Sequence, residues 1–383
     1  MTVIIDTGNR IAAKAAVMAK PDVVAAYPIT PQTTIVEAIA EYLARGEFKG
    51  EYICVESEHS AMSACIGASA AGSRTFTATS SHGLLLMHEM LHWAALARLP
   101  VVMCNVNRVV GPGWNIWVDE NDSISQRDTG WIQFYCSSNQ EIFDTVIQAF
   151  KIGEHSRVSL PVMVNLNAFI LSHTSMPADI PEEDVIDGFL GKYKPQWRLD
   201  VDNPVTFGNI IGPEGYYRVR RAMQDAMDEA KRIIPEVSKE WKRLSGYYHG
   251  DFVEYYKCDD AEYALLSMGA IGAESKIAID DLRKEGKKIG LARIRVFRPF
   301  PSEEIIKIGK KSDLIVVDRN ISVGSQGALF NEVKSALYGH SDAKVHGFIA
   351  GLGGKDVTYK DIEVICKKAI SQKTPRYEWY GLE

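Results

Sequence analysis

The sequence predicts an α/β protein built as two doubly wound parallel-sheet domains joined by a helical linker. Three observations carry this. Short runs without a polar face alternate with helical patterns through residues 1–180, and again through residues 259–383. The connections between these runs are short, as in doubly wound sheets. The stretch 181–258 has another texture, dominated by charge and by one long helical pattern. A chain of 383 residues holds two or three domains at the usual ~100–200 residues each.

In the first unit, Val23–Tyr27 reads as a strand cut by Pro28, and Thr34–Leu43 as a helix ending near Gly46. Glu51–Val55 is a strand. Ala61–Ala71, rich in Ala, Gly and Ser, is a helix able to pack closely on a sheet. Arg74–Thr79 is a strand, Leu84–Ala97 a helix, and Pro100–Val106 and Leu160–Leu166 are strands. In the middle stretch, residues 181–183, 192–202 and 207–215 read as loops. Tyr217–Leu244 reads as a long charged helix, or as a pair broken near Pro235. In the second unit the strands are Tyr263–Met268, Lys288–Ile294, Asp313–Asp318 and Val345–Ile349. The helices between them are Gly272–Glu285, Ser302–Gly309 and Gly327–Leu337.

Composition excludes several classes. Lys and Arg total 43 against 49 Asp and Glu, a formal charge of −6, and no cluster of five or more basic residues occurs. Nucleic-acid and membrane-surface binding are therefore not expected. No apolar run reaches the ~18 residues of a membrane span. The start Met1–Asp6 lacks the basic residues of a secretory signal, and Asp6, Arg10, Lys14 and Lys20 break up the apolar patches of the first twenty residues, so the cytoplasm is the expected compartment. Six cysteines (Cys54, Cys65, Cys104, Cys136, Cys258 and Cys366) form no C-x-x-C pair. They read as buried free thiols rather than cluster or zinc ligands. Any iron–sulfur cluster would sit on another chain.

Five segments carry candidate chemistry. Tyr27-Pro28-Ile29-Thr30-Pro31-Gln32-Thr33-Thr34 joins a strand to a helix, where open α/β sheets bind ligands. Thr30 offers a hydroxyl there, or else Thr30 or Thr33 simply caps the helix. In Val55-Glu56-Ser57-Glu58-His59-Ser60, both carboxylates share a face if the strand continues, and diverge if the chain turns into the next helix. In that case one faces a cleft, or both cap and solvate. Thr77-Ala78-Thr79-Ser80-Ser81-His82-Gly83 places small hydroxyl residues before a helix, suited to an anion or a polar ring, while His82 equally suits a structural role. Arg108 follows a strand and is either a carboxylate clamp or half of an ion pair with Asp119 or Asp122. Gly351-Leu352-Gly353-Gly354 reads mainly as a turn, since it lacks the full dinucleotide-binding spacing.

Taken together, these segments resemble the alpha subunit of pyruvate:ferredoxin oxidoreductase and its 2-oxoacid relatives. The resemblance rests on Tyr27–Pro31, Glu56–His59, Phe76–Thr79, Gly83–Glu89, Arg127–Trp131, Arg298–Pro301 and Asp318–Asn320, in order and spacing, and it is weakest over 185–215. It implies a thiamine pyrimidine-binding domain over 1–180, a linker over 181–258 and a transketolase C-terminal-like domain over 259–383. It also implies thiamine diphosphate shared with a beta subunit that carries the diphosphate and Mg2+. This chain has no Gly-Asp-Gly motif with a following Asn, so no metal site is expected on it.

By the same resemblance, Glu58 hydrogen-bonds the aminopyrimidine ring and sets its tautomer. Thr79, Ser81, His82 and Ile29 line the cofactor, and Thr30 and Arg108 hold the 2-oxoacid. The implied reaction is oxidative decarboxylation of a 2-oxoacid to its acyl-CoA, with pyruvate first and phenylglyoxylate or a branched oxoacid as alternatives. Electrons would pass to [4Fe-4S] clusters on ferredoxin-like and gamma subunits and then to ferredoxin, in a dimer of heteromers. A non-redox thiamine enzyme is the rival reading. The chain departs from the family pattern at Gly111-Pro112-Gly113-Trp114, where two glycines would enlarge the pocket and Trp114 would line it, and at His82, where glutamine is common.

Overall fold

A computed structural model describes residues 1–382. The first part of the chain runs β1 (Thr2–Thr7), α1 (Gly8–Met18), β2 (Val23–Ala26), α2 (Thr33–Ala44), β3 (Glu51–Cys54), α3 (Glu58–Ala70), β4 (Thr75–Thr79), α4 (Ser81–Leu86), α5 (His88–Leu96), β5 (Val102–Asn107), α6 (Asn121–Ile124), β6 (Ile132–Tyr135), α7 (Asn139–Gly153), β7 (Val162–Asn167) and β8 (Ser175–Ile180). Then come α8 (Glu183–Leu190) and α9 (Pro213–Ser245). The rest is β9 (Val253–Tyr256), β10 (Tyr263–Met268), α10 (Gly269–Lys284), β11 (Ile289–Ile294), β12 (Val296–Arg298), α11 (Ser302–Gly309), β13 (Asp313–Asp318), α12 (Ala328–Leu337), β14 (Val345–Ile349), α13 (Tyr359–Ser371) and β15 (Tyr377–Trp379).

The expected α/β architecture is present. One sheet has the order β12-β6-β7-β5-β4-β2-β3, parallel except for β12; the other has the order β15-β14-β13-β10-β11-β9, parallel except for β9. Strands β4, β5 and β7 are buried along their whole length, which is why they read as runs without a charged residue; their polar residues, Thr75, Thr77 and Thr79, Asn105 and Asn107, and Asn165 and Asn167, are buried on one face of each strand. The Ala-rich α3 lies against β2 and β4 of the first sheet, and the Ala-rich α1 packs on α2 and α7, because small side chains let backbone approach backbone.

Several elements have no counterpart among the predicted ones. The antiparallel pair β1–β8 closes the first unit's two ends together. Within the stretch read as a linker, α8 fills the interval between the first two predicted loops, and β9 pairs with β11 as an edge of the second sheet. The predicted helix 84–97 is two helices meeting at Met87 and starting at Ser81. The long helix is continuous for 33 residues, with Pro213 at its start, Pro235 inside it and Gly246 in the left-handed conformation after it. A proline interior to a helix costs about 3 kcal/mol. Here a buried stripe of Ala226, Ala230, Ile233, Ile234, Val237 and Trp241 on both sides of Pro235 offsets it.

The two units interlock. Strand β12 comes from the second unit's sequence yet pairs antiparallel with β6 of the first sheet. Beneath it, Glu141 of α7 accepts from Arg293 Nη2 at 3.0 Å and from Arg295 Nε at 3.2 Å, with all three side chains buried.

All six cysteines are free thiols. Four are buried, but Cys54 is exposed and Cys258 half-buried, because both stand at sheet edges rather than between layers. No helix is long and apolar enough to cross a membrane among the described residues.

Candidate active site

The first sheet reverses its winding between β2 and β4: the chain goes from β2 outward to β3, then returns to the other side of β2. Open α/β sheets hold ligands outside the carboxyl ends of strands at such points. The loops singled out in the first unit leave the carboxyl ends of β2, β3, β4 and β5 and so converge there.

After β3 the chain does turn. Ser57 caps α3, its hydroxyl accepting from the Ser60 N–H at 3.3 Å, and Glu58 is the first residue of the helix. The two carboxylates therefore diverge. Glu56 is exposed and accepts from the Ser60 hydroxyl, which holds it below the usual carboxylate range. Glu58 is only 6% exposed. It lies against Gly83 of α4, where an added Cβ would stand 2.5 Å from Glu58 Oε1 and 2.6 Å from Thr79 Oγ1. Glycine is thus required at 83 by the approach of these two side chains.

After β2, neither Thr30 nor Thr33 caps α2. Gln32 is the capping residue, with no side-chain bond to the helix, and its Oε1 instead accepts from the Ile29 N–H at 3.2 Å. Thr30 is exposed, and its carbonyl accepts from Arg108 Nη1 at 2.6 Å. Asn9 of α1 fastens the turn from below, its Nδ2 donating to the Pro31 carbonyl at 2.6 Å and to the Thr34 hydroxyl at 2.7 Å.

After β5, the Arg108 guanidinium pairs with neither Asp119 nor Asp122. Asp122 instead accepts from the Arg108 backbone N–H at 3.2 Å, while the side chain crosses to Thr30. Burial lowers the guanidinium's proton affinity, against the opposing pull of Asp122 and Glu58. Its Nε has no acceptor.

His82 Nε2 accepts from the Gly111 N–H at 2.9 Å. The neutral ring then carries its proton on Nδ1, 3.2 Å from Arg108 Nη2, so that second approach is a contact between two donors rather than a bond. Trp114 lies over the guanidinium at 4.9 Å and edge-on to His82 at 5.7 Å. Gly111 does not enlarge the pocket as expected. A Cβ there would stand 2.4 Å from the Trp114 ring, so the space the glycine leaves is filled by that indole.

Ser81 is brought to the site but its polar groups are occupied by the protein. Its N–H donates to Asp122 at 3.0 Å, and its hydroxyl donates to the Val109 carbonyl. It shapes the loop rather than presenting a free donor. Asp122 also gathers Asn107, Asn105 and Ser123, and burial pushes its carboxyl up against the lowering effect of these donors.

The residues present fit a polar heteroaromatic ring. The Thr79 hydroxyl and Arg108 Nε are buried without a partner, and a buried carboxylate faces the same Gly83 cradle. Such orphaned groups in a native fold call for a ligand. A family model described as "Pyruvate flavodoxin/ferredoxin oxidoreductase, thiamine diP-bdg" matches residues 14–239, and one described as "Pyruvate:ferredoxin oxidoreductase core domain II" matches residues 261–362. The chain belongs to the 2-oxoacid:ferredoxin oxidoreductase family.

Among its relatives, ketoisovalerate oxidoreductase subunit VorA of Pyrococcus abyssi is 48% identical, over 98% of this chain and 97% of the relative. Pyruvate synthase subunit PorA of Methanocaldococcus jannaschii is also 48% identical, over the same shares. The fold recurs in 2-oxoglutarate:ferredoxin oxidoreductase from Magnetococcus marinus, solved with 2-oxoglutarate, coenzyme A and succinyl-CoA. That likeness has a TM-score of 0.73 at 17% identity, over 96% of this chain and 65% of that one. A split-gene transketolase gives a TM-score of 0.60 at 12% identity, over 96% of this chain and 99% of that one. This family member is thus an oxidoreductase subunit with a thiamine diphosphate-binding domain.

Asn9, Gln32 and Gly83 were not singled out in the sequence as site-builders. Asn9 precedes the turn it holds by more than twenty residues, and only its polarity inside an Ala-rich helix marks it. Gly83 is marked by being a glycine inside a helix, which demands a packing reason.

Proposed function

We propose that this chain is the alpha-type subunit of an enzyme that oxidatively decarboxylates a 2-oxoacid to its acyl-CoA, and that it holds the pyrimidine half of a thiamine diphosphate site. The observation that carries the reading is the Glu58–Thr79–Gly83 cradle with Arg108 beside it. Glu58 would hydrogen-bond a ring nitrogen of the pyrimidine, and Thr79 would offer its unpartnered hydroxyl. Ile29 would pack against the ring, with His82 and Ser81 keeping the adjoining loop in place. When bound, thiamine diphosphate supplies a carbon nucleophile and an electron sink. Arg108 keeps N–H groups free after serving the Thr30 carbonyl, and these, with the exposed Thr30 hydroxyl, would orient the substrate carboxylate.

The other half of the assembly is also part of the proposal. A beta subunit would bring the diphosphate and Mg2+, and ferredoxin-like and gamma subunits would bring [4Fe-4S] clusters that deliver electrons to ferredoxin. Coenzyme A would take the acyl group. The arrangement would be a dimer of heteromers in the cytoplasm. The relatives are named as subunits, which supports partner chains.

Pyruvate is the first-choice substrate. A branched aliphatic oxoacid is the second reading, favoured by the ketoisovalerate relatives at the same identity. Phenylglyoxylate is disfavoured by Trp114, whose indole takes the room that Gly111 leaves. The test is turnover of the purified complex on pyruvate, 2-oxoisovalerate and phenylglyoxylate with a low-potential dye and coenzyme A. Activity on none of them, or activity independent of thiamine diphosphate, would overturn the reading.

A further inference from the structure

The second sheet has its own reversal of winding. From β10 the chain goes to β11 on one side and then to β13 on the other. Outside the carboxyl ends of these strands lies a cavity of about 310 Å³, room for roughly ten waters at ~30 Å³ each. Its walls come from both units. The first unit supplies Trp117 and the turn after β7 at Phe169, whose rings lie 4.6 Å apart and tilted by 56°; the second supplies Ala270 and Ile271 of the first turn of α10 and the glycine turn after β14. This is a different crevice from the one beside Glu58.

Arg319, the residue after β13, lines this cavity and is 4% exposed, yet its Nε and Nη1 have no acceptor. The nearby carboxylates do not serve it: Glu120 accepts instead from Asn167 Nδ2, and Asp119 from the Asn121 N–H. Burial pushes the Asp119 carboxyl up to about 7, and it pushes the Glu120 carboxyl up against the opposing pull of Arg319. A buried arginine without a partner is costly unless something supplies the missing acceptors.

The glycine turn after β14 packs closely around it, Gly351 against Arg319 and Val357 and Gly354 against Trp117. Gly351, Gly353 and Gly354 have φ of 77°, 64° and 77°, a left-handed path that side chains resist. A Cβ on Gly351 would stand 2.8 Å from Arg319 Nε. The α10 terminus is already capped from β7, the Ala270 N–H donating to Asn167 Oδ1 at 2.7 Å, so the charge offered to a ligand here is that of Arg319 rather than of the helix end. Glu274, Lys355 and Asp356 also line the crevice, and Arg319 is the one buried cation among its lining residues.

We infer that this crevice is a second ligand site, which takes the oxyanion of a small organic acid or phosphate ester, with Arg319 as its charged anchor and Trp117 and Phe169 against the apolar part.

The test is equilibrium binding to the purified full-length protein, with inorganic phosphate in one arm and acetate in the other. Saturable binding of either anion is expected, and the arm that binds tells a phosphoryl group from a carboxylate. Arg319→Gln should weaken it by about tenfold or more, the loss of a charge-assisted pair. Glu274→Lys, a rim change that leaves the core intact, should tighten it. Failure of both anions to bind saturably, or binding indifferent to both substitutions, overturns the inference. Turnover on 2-oxoacids reports separately on the Glu58 site.

Discussion

Arg108 Nη1 donates to the Thr30 carbonyl across 2.6 Å, tying the loop after β5 to the loop after β2 over the crevice between them. One guanidinium thus joins the two loops, and its Nε has no acceptor among the described residues. Arg108→Ala should raise the KM for the oxoacid by about 10- to 100-fold, the equivalent of a charge-assisted bond worth roughly 1.5–3 kcal/mol. Arg108→Lys should recover only part of this, because an ammonium cannot reach Thr30 and the substrate in the same fork geometry. Steady-state kinetics of the assembled enzyme decide it, and a KM and kcat both unmoved in the alanine variant would remove Arg108 from the site.

Glu58→Gln keeps the size of the side chain and removes its charge. If the carboxylate takes part in proton movement at the pyrimidine, turnover should fall by about 10²–10⁴. Cofactor titration by intrinsic fluorescence should still show binding, since a glutamine fills the same cradle. Turnover within a few-fold of the parent would rule the role out.

Gly83→Ala separates the site from the fold. In an exposed helix this change stabilises by up to ~1 kcal/mol. Here the new methyl group would stand 2.5 Å from Glu58 Oε1 and 2.6 Å from Thr79 Oγ1. Overpacking of this kind costs about 1–3 kcal/mol, and it should appear as weaker thiamine diphosphate affinity rather than as early melting. Unchanged affinity would mean that the cradle is not where the cofactor sits.

Burial decides which parts of the molecule were legible in the sequence. Strands β4, β5 and β7 are covered on both faces and announce themselves as five- or six-residue runs without a charged residue. Strand β6 (Ile132–Tyr135) is equally buried, but it is only four residues long and includes Gln133, whose Nε2 donates to the Ser123 carbonyl, so no run shows. Strand β12 is three residues long and exists because β6 offers it an edge, a fact of tertiary structure alone. Within the site, the loops at strand ends were legible because topology sends ligands there. The use Ser81 makes of its own donors was not, since that depends on Asp122 arriving from forty residues away.

The Glu141 cluster makes a pH prediction. Burial alone would push this carboxyl up, but Arg293, His249 and Arg295 overcome it and hold it at about 2. A carboxyl depressed on folding stabilises the native state at every pH above its unfolded value of about 4.3. That contribution is lost as the pH falls from there toward about 2. Apparent melting temperature should therefore drop over this window in the parent and drop less in Glu141→Gln. The variant itself should be less stable at neutral pH by about 3–5 kcal/mol, because it leaves the buried Arg295 without a carboxylate, while Arg293 keeps only Glu254. Parallel melting curves for parent and variant across the window would refute the assignment.

Trp114 is the place to look for substrate choice. Its indole lies over Arg108 at 4.9 Å and fills the room above Gly111, so it stands where the side chain of an oxoacid held by that guanidinium would extend. Each extra methylene in such a pocket is worth only about 1–3 kcal/mol, so selectivity here is a matter of shape rather than of charge. Trp114→Ala should raise kcat/KM for 2-oxoisovalerate relative to pyruvate by about tenfold. Gly111→Ala, which displaces the indole without removing it, should move the same ratio and should also disturb the His82–Gly111 hydrogen bond. The measurement is the ratio of the two kcat/KM values in each variant. A ratio that stays put in both would show that the indole covers the arginine without touching the substrate.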